Sequence, residues 1–247
     1  MDDMERYGDY NEIDESPKKS RMLIVIKIVA AILIISIIGL IGFRLFTFNY
    51  YPDAMKRLSF TDTLTAFYYE RDGEIGAMTQ DLLDGSDFGY DDPDEGNFFC
   101  DNMVFIPELG QLQITLRYNT AVLDNLEEKH GLSDLDPDDE SLLSFRLVGT
   151  RASDPEVEED TPDEELGTDL GAAVTVAETD SFMMYRYFRL VFDGIDFGSS
   201  DEGDSIDWIR LEVFVKDSQT PHMILIYYNS EESPFEPYIL SKDEVPK

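Results

Sequence analysis

Carboxylates gathered in loops are the residues here best suited to chemistry, because a hard cation such as calcium needs six to eight oxygen ligands. Three groups qualify: Asp84, Asp87, Asp91, Asp92 and Asp94; Asp134, Asp136, Asp138 and Asp139; and Asp193, Asp196, Asp201, Asp204 and Asp207. The second begins like an EF-hand loop, with acids at positions 1, 3 and 5. It then departs, since Asp139 stands where the sharp turn needs glycine and Phe145 where a bidentate glutamate is needed. In so acidic a chain such clusters also arise as solvated loops, which is the preferred reading. Calcium is the one cofactor these residues leave open.

Paired carboxylates can also hydrolyse a glycosidic bond when they lie about 5–10 Å apart beside aromatic platforms. The chain has 13 Tyr and 16 Phe, but strand patterns assign many of those rings to a core. Zinc chemistry finds no ligand spacing, because Cys100, His130 and His222 are scattered. Neither histidine accompanies a Gly-x-Ser-x-Gly or cysteine-nucleophile signature. Cys100, after Phe98-Phe99, reads as a small buried apolar residue. No catalytic residue is assigned. A non-enzymatic role is expected, with a membrane-tethered carbohydrate-active hydrolase as the alternative.

Charge narrows the partners. The chain holds 53 acidic and 19 basic residues, a formal charge of −34. Of these, 46 acids and 13 bases follow residue 44, so the charge belongs to the larger C-terminal part. Nucleic acid and anionic lipid surfaces are repelled by such a body, which leaves cations, basic proteins and neutral ligands.

Met22 to Phe43 is apolar apart from Lys27, Ser36 and the glycines, long enough as a helix to cover about 33 Å and so cross a bilayer core of roughly 30 Å. Lys27 can lift its ammonium to the headgroups on its four-carbon stem. Arg44 to Tyr51 offers no small-x-small cleavage site, so an uncleaved anchor is preferred over a signal peptide. Lys18, Lys19, Arg21 and Lys27 on one flank outweigh Arg44, Lys56 and Arg57 on the other. The N-terminus is therefore expected in the cytoplasm and the C-terminal domain outside. The single cysteine allows no intramolecular disulfide, and no Asn-x-Ser/Thr sequon occurs, which fits a bacterial cell surface.

The expected organisation is a disordered tail at 1–21, a transmembrane helix at 22–43, a membrane-proximal stalk with a short helix and an acidic loop at 44–96, a β domain at 97–240 and a short tail at 241–247. The stalk helix spans Thr61 to Arg71, with Thr61 as cap and Leu64, Phe67, Tyr68 and Arg71 on one face. A second helix covers Thr120–His130 behind Asn119 as N-cap. Strands are read at Gln111–Tyr118, Leu142–Val148, Ala172–Ala177, Tyr185–Phe192, Ile206–Val215 and Met223–Tyr228. Their apolar sets alternate, as in sheets with one buried face. The layout of Gln111–Asn119, Ser144–Val148, Tyr185–Phe192 and Trp208–Val215 resembles immunoglobulin-like domains of single-pass or lipid-anchored surface proteins of Gram-positive bacteria. The Cys…Trp…Cys pattern of true immunoglobulin domains is missing. The resemblance implies a mainly β, immunoglobulin-like sandwich that serves binding, adhesion or assembly, with a protein or glycan ligand at the cell envelope.

Overall fold

The computed structural model describes residues 17–71, 75–80, 82, 98–151, 167–196, 206–216, 218–228 and 236–239. It divides into two compact units, Met1–Tyr50 and Tyr51–Lys247.

The described part of the first unit is one helix, α1, Pro17–Asn49. It extends beyond the expected 22–43 at both ends. Proline is well suited to a first helical position, where its fixed φ matches the helix and its missing N–H would be unpaired anyway. At the other end the Thr47 hydroxyl donates to the Arg44 carbonyl at 2.9 Å and the Asn49 amide donates to the Leu45 carbonyl at 2.8 Å. Both are side-chain bonds back to carbonyls three and four residues earlier in the same helix. Met22–Asn49 is long and apolar enough to cross a membrane, with a mean hydropathy of 3.1 in its most apolar window and none of that window buried.

The second unit is mainly β. Its strands are β1 Gly76–Gln80, β2 Phe98–Ile106, β3 Gln111–Asn119, β4 Leu143–Arg151, β5 Thr168–Asp169, β6 Ala173–Phe182, β7 Tyr185–Asp193, β8 Ile206–Val215, β9 His222–Tyr228 and β10 Glu236–Ile239. They form two antiparallel sheets, β10-β1-β2-β3-β7-β6 and β5-β4-β8-β9. All six strands read from alternation form. The helices are α2, Asp62–Glu70, and α3, Leu123–His130. Thr61 caps α2 by accepting from the Leu64 N–H, and Asn119 accepts from the Ala121 N–H ahead of α3. The first three residues of the expected second helix, Thr120–Val122, wind as a tighter 3-10 turn.

Side chains from both sheets share one core. Leu112, Ile114 and Leu116 of β3 and Leu190 and Phe192 of β7 join Leu147 of β4, Ile209, Leu211 and Val213 of β8 and Ile224 of β9. At the β2–β3 connection Gly110 has φ +61, and a Cβ there would lie 2.8 Å from the Ile195 carbonyl oxygen, so the turn needs glycine.

At its centre, on β3, the larger sheet is buried on both faces, which corrects the expectation of a single buried side there. On β3 the polar set Gln113, Thr115 and Arg117 is no more than 1% exposed. The cover comes from residues assigned to the stalk. Leu58, Leu64 and Tyr68 pack on Ile75, Ala77, Val104 and Ile106 as a second apolar cluster, each of the Leu, Ile and Val side chains worth about 1.5–3 kcal/mol when fully buried. Residues 51–80 thus belong to the β unit, and β1 supplies one of its strands.

Candidate functional site

Asp84, Asp87, Asp91, Asp92 and Asp94 lie outside the described residues, as do Asp201 and Asp204. Asp193 accepts a 2.7 Å hydrogen bond from the Gln111 side chain, while Asp196 is exposed. In the EF-like segment, Asp136 accepts from the Asp138 N–H at 2.9 Å. Asp139 accepts from the Ser141 N–H at 2.8 Å and from its hydroxyl at 2.7 Å. These carboxylates hold their own turns. Among the described residues, no three His, Cys, Asp or Glu side chains converge as a metal would require.

His222 is buried on β9 with its ring 4.8 Å from that of Phe98. Cys100 is fully buried in the shared core, and burial pushes its thiol well above the usual range. Such a thiol is a poor nucleophile.

Two arrangements remain. One is the polar layer on the covered face of the larger sheet. The Gln113 side chain donates to the Ser59 carbonyl and accepts from the Ser59 N–H, both at 2.9 Å. Gln113 also donates to Gln111 at 2.9 Å. The Arg189 guanidinium donates to the Met55 carbonyl, and at 3.0 Å to that of Arg57. Arg117 lies among three aromatic rings, with its guanidinium carbon 5.1 Å from the centroid of Tyr51, 5.4 Å from Phe99 and 5.7 Å from Tyr185. Burial, with Asp101 adding, pushes the Tyr51 phenol far above its ordinary range. The layer locks residues 51–61 to the sheet, and its polar groups point inward.

The other arrangement opens outward. A groove of about 720 Å³ runs between the 137–143 turn and β6. Phe145, Val176 and Phe188 contribute apolar surface, with the Phe145 and Phe188 rings 6.3 Å apart. Asp138, Asp139 and Glu140 line it from the turn, and Glu178 and Asp180 from β6. Arg186 bridges to Asp138 at 2.9 Å. Beside this pair, the Tyr118 hydroxyl is buried with no hydrogen-bond partner among the described residues. Burial above all holds its phenol up at about 12, Arg186 opposing and Asp138 and Asp136 adding. Asp139 is held below the usual carboxylate range by its bonds from Ser141, the reverse of what a general acid in glycoside hydrolysis needs.

Sequence reasoning reaches the strand behind this groove at Ala172–Ala177 but not its place at the edge of a sheet. The signal present is Val174 and Val176 alternating into Glu178 and Asp180, which does not reveal which neighbours pair. Comparison of the chain with protein-family models, curated proteins and solved structures gives no match.

Proposed function

We propose that this chain is a single-pass, membrane-anchored module for binding, adhesion or assembly. Its N-terminus lies in the cytoplasm and its acidic β domain outside, at the cell envelope. The observation that carries the reading is α1, whose span Met22–Asn49 keeps its most apolar window wholly unburied on a chain that otherwise folds as a β unit. An unburied surface of that length and hydropathy is stable in lipid and not in water. The excess of Lys and Arg before the span supports the orientation. The β unit is read as immunoglobulin-like in the broad sense. Two antiparallel sheets surround one core, and the chain passes from the first sheet to the second after β3 and again after β7. Binding rather than catalysis is favoured by the groove, where Asp139 holds its own turn and Asp138 pairs with Arg186.

Site-specific labelling tests the reading. On a Cys100→Ala background, Gln219→Cys and Tyr10→Cys are each treated in intact cells with a membrane-impermeant maleimide. Labelling at 219 alone is expected, with the protein retained in carbonate-washed membranes. Labelling at 10 alone, or release by carbonate, refutes it.

A further inference from the structure

The binding partner follows from the edge of the larger sheet. β6 ends the strand order, so no strand among the described residues pairs with its outer side. It has 10 residues, against 4, 2 and 7 for the other edge strands β10, β5 and β9. An open edge is a template for another strand unless Lys, Pro or a covering element blunts it. β6 reads Ala-Val-Thr-Val-Ala-Glu-Thr-Asp-Ser-Phe, with neither Lys nor Pro. Its ladder to β7 shifts register once, between Val176 and Glu178, which leaves regular runs on both sides. Val174 and Val176 are 38% and 44% exposed, an apolar contact along that edge.

The groove beside this edge settles the chemistry of the occupant. Five of its sixteen lining residues are carboxylates and one, Arg186, is a base. An antiparallel second copy paired about Thr179 would bring Glu178 against Asp180, and like charges facing each other across a strand pair are unfavourable. At −34 the whole chain adds to that repulsion. An anionic partner is repelled in the same way.

We infer that β6 and its groove receive an extended, basic segment of another protein. The segment adds as a strand, with Lys or Arg side chains over Glu140 and Asp180 and apolar ones against Val174 and Val176. Main-chain hydrogen bonds give affinity in this mode, and side chains give selectivity. The inference rests on the extracytoplasmic binding role proposed above and names its partner.

The test uses the full chain in phosphatidylcholine nanodiscs and three labelled ten-residue peptides matched to β6. One alternates Lys and Val, one alternates Glu and Val, and one repeats the Lys-Val sequence with every second amide N-methylated. Fluorescence anisotropy reads binding, and hydrogen–deuterium exchange reads the β6 amides. The Lys-Val peptide should bind saturably, slow exchange within 173–182 and lose about tenfold in affinity between about 50 and 300 mM salt. The Glu-Val peptide and the N-methylated peptide should not bind. Combining Glu140→Lys with Asp180→Lys, both exposed positions, should weaken the Lys-Val peptide about tenfold. No saturable binding overturns the inference. Equal binding of the N-methylated peptide overturns strand addition, because charge alone would then suffice. The maleimide experiment judges the anchored-module role separately, so a protein that labels as expected yet ignores the peptide loses only this inference.

Discussion

Replacing Arg189 with Met tests whether the buried polar layer holds residues 51–61 on the sheet. The side chain is 2% exposed and donates to two backbone carbonyls, those of Met55 and Arg57. A hydrogen bond from a charged donor is worth about 1.5–3 kcal/mol, and a buried acceptor left unpaired costs about 1–3 kcal/mol. Thr115 also donates to the Met55 carbonyl, at a long 3.5 Å, so that oxygen keeps a weak partner while the Arg57 oxygen loses its own. Against these losses, methionine avoids the desolvation of a buried cation. That cost is visible in the guanidinium pKa, lowered by burial although Glu178, Tyr51 and Asp101 oppose it. The net expectation is a loss of about 2–4 kcal/mol, equivalent to roughly 4–16 °C in the melting midpoint for a unit of this size. Thermal melting of the full chain in nanodiscs reads the total. Hydrogen exchange at the Ser59 amide, which donates to Gln113, reads the layer itself. Arg189→Lys should fall between parent and Met variant, because an ammonium is a point charge without the guanidinium fork. A Met variant that melts within about 2 °C of the parent and leaves the Ser59 amide as protected as before would refute the lock.

Two further outcomes follow from the groove and its surroundings. Tyr118→Phe removes a buried hydroxyl that has no partner among the described residues, so it should leave the midpoint at pH 7 unchanged or raise it. The folded-state phenol is raised to about 12, so its contribution to stability is complete below the unfolded value near 10 and is lost as pH climbs from there toward 12. The Phe variant should therefore lose less stability than the parent across that interval, and equal alkaline losses in both proteins would contradict the assignment. Melting with millimolar calcium, against magnesium as control, should give equal small shifts, since the Asp136 and Asp139 carboxylates are already taken up by their own turns. A saturated specific site would instead add about 2.7 kcal/mol at 100-fold over its dissociation constant, and a rise with calcium alone would show one.

Alternation exposes strands such as β3 and β7 because each keeps one apolar set in phase, Leu112, Ile114 and Leu116 on the one and Leu190 and Phe192 on the other. β2 escapes for a physical reason. Phe98 and Cys100 face the shared core, but Asn102 takes φ +45 and the pairing to β3 shifts between Asp101 and Val104. Beyond that bulge the core face passes to Met103 and Phe105, while Val104 and Ile106 meet the second cluster. A phase flip in mid-strand defeats any period-2 reading. β3 is legible as a strand but its polar face is not legible as buried, since Gln113, Thr115 and Arg117 have the composition of a solvated surface. Gln113 and Thr115 are covered by partners 54 and 60 positions away, which local pattern does not encode.

The same sheet buries polar residues at one place and, among the described residues, leaves an edge unpaired at another. Gln113 exchanges two hydrogen bonds with Ser59, as a paired strand residue would, so residues 51–61 are held in one register at little gain over an apolar packing. Hydrophobic contact alone would allow that segment to slide, and a slide would unseat both carbonyls from Arg189. β7 is the strand that carries Arg189 and also pairs along its whole length with β6. The open edge is therefore backed by a strand fixed through side-chain hydrogen bonds on its covered face and by Leu190 and Phe192 in the core on the other. A rigid template loses little conformational entropy when a strand is added to it, which is the condition under which a short extended segment can bind.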